Sequence, residues 1–159
     1  MSPKIRYDMI KQTYEAPNVE EFKRLLKKHN LKATQQRIAV HEAMLALGHA
    51  SADMVTDKIR EDGIVKVTVA SVYNILTQIA LLGIYNYRMS SNSKMYFDVN
   101  TFKHIHLYDH VNNTFTDVID DETIELVTSR LSSRRFRGYH VEDIDIQIIC
   151  RPSRAYKRK

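Results

Sequence analysis

Four short polar residues set the frame of this chain. Asn18, Thr34, Ser51 and Thr68 each stand directly before a run whose apolar residues recur at helical spacing. A side-chain oxygen there accepts a hydrogen bond from an orphan amide of the first turn, so each marks a helix start. Glu21, three residues after Asn18, completes a capping box. Asn30, Gly48, Gly63 and Gly83 stand where the runs end, and these residue types tolerate the left-handed backbone that stops a helix. The chain has only 4 glycines, and three of them serve in this way. Helices joined so closely must share apolar faces, which predicts a bundle of the helix-turn-helix type. A further short helix is expected over residues 3–16, with Ile5, Met9 and Ile10 on one side and Pro17 at its end. Lys23, Lys27 and Lys28 face outward from the first capped run, suited equally to solvent and to phosphate.

The fourth run, VASVYNILTQIALL, carries the most information. Val72, Ile75, Leu76 and Ile79 follow the i, i+3, i+4, i+7 pattern of a core face. The opposite side carries Ala70, Tyr73, Asn74 and Thr77. An ordinary solvated face would carry Lys and Glu, whereas this one is short, polar and almost uncharged. It suits entry into a DNA major groove, and also packing against another subunit. Two alternating segments follow, IYNYR and KMYFD, with SSNS as the turn between them. A β-hairpin directly after a recognition-like helix is a wing, on which Arg88 and Lys94 could meet phosphates.

After Asp98 the pattern changes from helical to mostly strand. HIHLY and FTDVI read as two strands joined through HVNNT. Asp120 or Asp121 caps a helix with Ile124, Val127 and Leu131 as its buried side. A last strand follows, in which Ile144, Ile146, Ile148 and Cys150 alternate with Asp143, Asp145, Gln147 and Ile149. One helix on a small sheet of about 50 residues cannot bury both faces alone, so a homodimer is expected. The fold class is therefore α+β, with a winged-helix DNA-binding domain over residues 1–98 and a small α/β dimerisation domain over 99–150. The tail 151–159, RPSRAYKRK, is expected to be disordered and to help bind DNA non-specifically.

Within the second part, His104 and His106 are separated by one residue, so in a strand both imidazoles lie on one face. Asp98 and Asp117 flank them. Imidazole with carboxylate suits a hard or borderline divalent metal. Alone, such a pair is more often two surface or satisfied histidines. Composition narrows the context. The net charge of +5 fits a polyanion partner. The single cysteine, Cys150, excludes an internal disulfide and any cysteine-rich zinc site. No apolar run approaches membrane-spanning length, and the charged N-terminus lacks a signal core, so a cytoplasmic protein with no membrane partner is expected.

Three stretches give the chain a family resemblance. Ala33-Thr34-Gln35-Gln36-Arg37, Leu47-Gly48-His49-Ala50-Ser51-Ala52-Asp53 and Val69-Ala70-Ser71-Val72-Tyr73-Asn74, followed by H-x-H, resemble the ferric uptake regulator (Fur) family over nearly the whole chain. Gln35 replaces the family's usual proline. The resemblance implies a DNA-binding domain and a dimerisation domain, and a repressor rather than an enzyme. It adds His49 as a ligand at the hinge. The implied site is His49, Asp98, His104, His106 and Asp117, holding one divalent metal per subunit, Fe(II) or Mn(II), with Zn(II) possible in vitro. Asp117, Asp98 and Asn74 look most like the peroxide-sensing PerR branch, in which iron oxidises ligand histidines; the matching positions are His49 and His104. The implied DNA contacts are Tyr73 to a thymine methyl, Asn74, Ser71 and Thr68 to bases or phosphate, and Arg37 to phosphate of an A·T-rich pseudo-palindrome.

The chain also departs from the family. Where most members carry C-x-x-C, it has Asp109 and Asn112, so a four-cysteine structural zinc is impossible. A further family metal site looks lost, with Lys103 and Ile105 at its ligand positions and His140 read as structural. His110 and His41 are expected at the surface or on a helix face. Other readings stay open: an iron- or manganese-responsive, or haem-linked, regulator without peroxide sensing; a non-haem iron oxygenase built on His104, His106 and one carboxylate; and a metal-independent winged-helix module.

Overall fold

A computed structural model describes residues 15–153. The helix expected over 3–16 and most of the basic tail lie outside the described residues. Helix α1 spans Val19–Lys28 and buries Phe22 and Leu26. Its capping box is formed: Asn18 Oδ1 accepts from the Glu21 amide, and Glu21 Oε2 accepts from the Asn18 amide. Lys23 pairs with Glu20 one turn away. Helix α2 spans Gln35–Leu47, α3 Ala52–Asp62 and α4 Val69–Leu81, with Thr34, Ser51 and Thr68 as their caps. Val72, Leu76 and Ile79 of α4 are buried in a core shared with Val40 and Met44 of α2 and Val55 and Ile59 of α3.

His41 is not on an exposed helix face. It is fully buried and stacked 3.9 Å from Phe22. The Pro17 carbonyl can only accept, so Nε2 donates to it at 2.7 Å, and the Tyr85 hydroxyl donates to Nδ1 at 2.7 Å. Burial lowers its pKa, and the neutral ring has both nitrogens satisfied.

The strands form two sheets. In the first, β1 (His49–Ser51), β2 (Asn86–Met89) and β3 (Met95–Asp98) lie antiparallel in the order β1-β3-β2. The hairpin β2–β3 is the expected wing. Strand β1 was not expected, because three residues show no alternation. Gly48 at φ +73° turns the chain out of α2 and into it. The register sets His49 opposite Asp98.

In the second sheet, β4 (Ile105–Asp109), β5 (Thr114–Val118) and β6 (Gln147–Cys150) take the order β5-β4-β6. The β4–β5 hairpin is antiparallel and sets His106 opposite Asp117. Strand β6 runs parallel to β4, which demands a crossover. Helix α5 (Asp121–Ser132), capped by Asp120, supplies it. The alternating pattern from Asp143 becomes ladder only from Gln147 onward. Ahead of it, Asp143 and Asp145 turn their carboxylates to Lys103 and Arg88. Helix α5 buries no residue fully, so Ile124, Val127 and Leu131 are only half covered within one chain.

Candidate metal centre

Five side chains from separate elements meet where the two sheets adjoin. His49 comes from β1, Asp98 from the end of β3, His104 from the linker, His106 from β4 and Asp117 from β5. One ligand atom of each lies within 4.8 Å of all the others. Nε2 of His49, His104 and His106 stand 3.0, 3.1 and 3.1 Å from the same oxygen, Asp98 Oδ2. His49 and His104 also lie 3.0 and 3.1 Å from Asp117 Oδ1. The histidines and Asp98 are buried, and Asp117 is half-buried.

Neighbours aim these groups. The Phe102 carbonyl lies 2.6 Å from His104 Nδ1, so Nδ1 is the donor and Nε2 is turned inward. Asn100, which sequence reasoning missed, fixes both carboxylates. Its amide donates to Asp98 Oδ1 and its side-chain nitrogen to Asp117 Oδ2, each at 2.8 Å. No local pattern announces that role, since Asp117 is 17 residues further on.

Burial pushes the His49 and His104 pKa values down, but the Asp117 and Asp98 carboxylates outweigh it and raise them to about 9 and about 10. Burial pushes Asp98 and Asp117 up, yet the imidazoles hold both well below the usual carboxylate range. His49 Nε2 and Asp117 Oδ1 are nevertheless buried without an aligned hydrogen bond. Three neutral imidazoles and two carboxylates give a nitrogen–oxygen donor set of charge −2, which fits a divalent cation such as Fe(II), Mn(II) or Zn(II). A polar cleft of about 370 Å³ reaches His104 and His106 between Tyr85, Arg88, Lys103 and Asp145.

The model of the ferric uptake regulator family matches residues 28–149. The chain belongs to this family. Its members are metal-responsive, DNA-binding transcription regulators, generally dimeric, and not enzymes, which sets the oxygenase reading aside. The fold is shared with the Vibrio cholerae ferric uptake regulator at TM-score 0.70 and 21% identity, covering 82% of this chain and 99% of that one. It is shared with a Pseudomonas aeruginosa ferric uptake regulator solved with manganese, at TM-score 0.63 and 23% identity, covering 81% and 96%. A Campylobacter jejuni peroxide stress regulator gives TM-score 0.58 and 21% identity, covering 84% and 97%. No curated protein matches the chain. No helix among the described residues is long and apolar enough to cross a membrane.

In this family member the exposed side of α4 divides into two groups. Tyr73 is 42% exposed, with its ring 6.4 Å edge-on to Phe97, and Asn74 beside it is exposed. With Ala70, Lys94 and Met95 they line a groove between α4 and the wing. The hydroxyls of Ser71 and Thr68 hold each other's amides in the capping box of α4. The Arg37 guanidinium donates to the Lys32 carbonyl at 2.8 Å and to Gln78 Oε1 at 2.9 Å, tying α2 to α4. Arg88, expected at a phosphate, is held by Asp145. The expected metal ligands thus converge, while of the expected DNA residues Tyr73 and Asn74 keep free polar atoms on the exposed face.

Proposed function

We propose that this regulator binds one divalent metal per subunit through His49, Asp98, His104, His106 and Asp117, and that occupancy sets its affinity for operator DNA. The observation that carries the reading is the convergence of five buried or half-buried side chains, with one ligand atom of each within 4.8 Å of all the others. His49 sits between α2 and α3, whereas His106 and Asp117 belong to the second sheet. Drawing them together fixes the angle between the reading helix and the dimerisation unit, taken as residues 1–98 and 99–150. The metal acts only through its preference for the DNA-competent state. Tyr73 contacts a thymine methyl and Asn74 a base edge in an A·T-rich pseudo-palindrome read by a homodimer in the cytoplasm. The capping box of Thr68 and Ser71 presents the helix end to phosphate, and Arg37 braces it.

The metal is Fe(II) or Mn(II), without a cysteine-held structural zinc. Bound iron would supply the electron that splits peroxide beside the His49 and His104 rings. Oxygen addition to either ring would remove a ligand and release DNA. The resemblance of Asp117, Asp98 and Asn74 to the peroxide-sensing branch supports this assignment.

The test is DNA binding across Fe(II) and Mn(II) titrations, followed by peroxide and mass spectrometry of the His49 and His104 peptides. Metal-dependent binding lost with a +16 Da histidine adduct in the iron form alone establishes peroxide sensing. Binding that survives peroxide leaves an iron or manganese regulator. The variant His104→Ala should lose metal-dependent binding, and normal metal dependence in it would overturn the ligand set.

A further inference from the structure

Asp145 lies outside the five ligands, and by sequence it is only the polar half of an alternating strand. Its carboxylate is gripped by Arg88 of β2, with Nη1 3.0 Å from Oδ2 and Nη2 3.0 Å from Oδ1. This is the parallel fork in which guanidinium and carboxylate are best matched. Gln147 Oε1 accepts a weaker bond from Nη1 at 3.4 Å. The Arg88 side chain is 12% exposed and lies over the Phe115 ring at 5.7 Å. The fork therefore joins the first sheet to the segment leading into β6.

The same Asp145 Oδ1 that accepts from Nη2 also meets the metal centre. His106 turns Nε2 toward Asp98 and leaves Nδ1 3.5 Å from Asp145 Oδ1. That Nδ1 is buried and has no aligned hydrogen bond. An imidazole that ligates a metal through one nitrogen donates its other N–H to a carboxylate or carbonyl. His104 has the Phe102 carbonyl for this purpose. For His106 the acceptor within reach is Asp145, and a contraction of a few tenths of an ångström would complete the bond.

We propose that Asp145 is the positioning residue for His106, and that the Arg88–Asp145 fork carries metal occupancy from His106 to the wing. The proposal rests on the metal reading above. A ligated His106 is the stronger donor, so it draws Asp145 inward, and Asp145 takes Arg88 and β2 with it. Arg88 is registered against Tyr96 in β3. The start of β3, at Met95, lines the groove beside Tyr73 and Asn74. The device is a second tie between metal and DNA face, separate from His49.

The test uses the full chain and the variants Asp145→Asn, Arg88→Gln and Arg88→Lys. Mn(II) gives affinity, Co(II) gives the d–d spectrum, and palindromic DNA is titrated with and without Mn(II). Asp145→Asn should weaken Mn(II) binding about 10–100-fold, the usual loss for an outer-shell acceptor, and should alter the Co(II) spectrum. Arg88→Gln should lower the ratio of DNA affinities with and without Mn(II) by about fivefold or more, with the same factor in the Mn(II) affinity ratio with and without DNA, because coupling is reciprocal. Arg88→Lys keeps the charge but not the fork and should recover only part of the ratio. Wild-type Mn(II) affinity and Co(II) spectrum in Asp145→Asn, or an unchanged ratio in Arg88→Gln, overturns the proposal, whatever happens to thermal stability. If His104→Ala abolishes Mn(II) binding while Asp145→Asn does not weaken it, the metal site stands and this inference falls. If the wild-type chain binds neither metal, both fall.

Discussion

Asp98 holds the centre together at the level of single atoms. One of its oxygens faces three imidazole nitrogens at 3.0–3.1 Å, and its other oxygen accepts from the Asn100 amide. Without metal, that arrangement is held by protons. His49 and His104 have pKa values raised to about 9 and about 10, above the unfolded value near 6.5. Their contribution to metal-free stability is therefore complete below about pH 6.5 and is lost as pH rises through 9 to 10. Metal must displace the same protons. Calorimetry of Mn(II) binding in buffers of different ionisation enthalpy should show about two protons released at pH 7.5, and the apparent affinity should rise toward pH 10. Release of none would mean that both rings are already neutral. Tyr73 belongs to the same scale. The change Tyr73→Ala should weaken specific DNA binding by about 1–3 kcal/mol while leaving Mn(II) affinity unchanged. Equal losses in both would place Tyr73 in the fold rather than at DNA.

Among the elements, β1 decides where His49 goes. Gly48 takes φ +73°, and a Cβ there would meet no atom within 4 Å, so the difficulty for another residue is backbone conformation rather than space. The variant Gly48→Ala should lose about 1–2 kcal/mol in thermal unfolding, and Mn(II) affinity should fall with it because His49 follows directly. Unaltered metal affinity would show that β1 adapts. The capped helices were legible because a cap and its amide lie three residues apart. So were the H-x-H strand and its flanking carboxylates. Strand β1 was not, since its partner β3 lies more than forty residues downstream and supplies the pairing. The partners of the arginines within the fold were hidden for a similar reason. Arg37 finds Gln78 41 residues away and Arg88 finds Asp145 57 residues away, and nothing near them in sequence says so. Asp109 reads only as a missing cysteine. In the fold it accepts from the Val111 and Asn112 amides and from the Asn112 side chain, holding the β4–β5 turn.

The molecule as a whole is unequally covered. The helical part has a continuous buried core, while among the described residues the buried cluster around the second sheet holds Tyr96, Tyr108 and Phe115 with Met54 against it. Leu126 of α5 and Ile148 and Ile149 of β6 stay exposed, and β6 is an edge strand. An edge with exposed branched side chains is a template for pairing with another chain. The change Ile149→Lys should raise the dimer dissociation constant at least about tenfold, because a lysine charge buried at an apolar contact costs more than about 1.4 kcal/mol. Sedimentation equilibrium would measure it, and an unchanged constant would move the dimer contact elsewhere.

The ligands enter the chain at positions 49, 98, 104, 106 and 117, so the centre belongs to neither part alone. A chain still emerging from the ribosome lacks the full set of five donors until residue 117 is free. A hybrid gene that joined the reading half of this protein to the dimer half of a relative would inherit an untested mixture of ligands at the join. With the roles proposed above, operator choice would drift with α4 alone, but metal choice would be passed on only when both halves travel together.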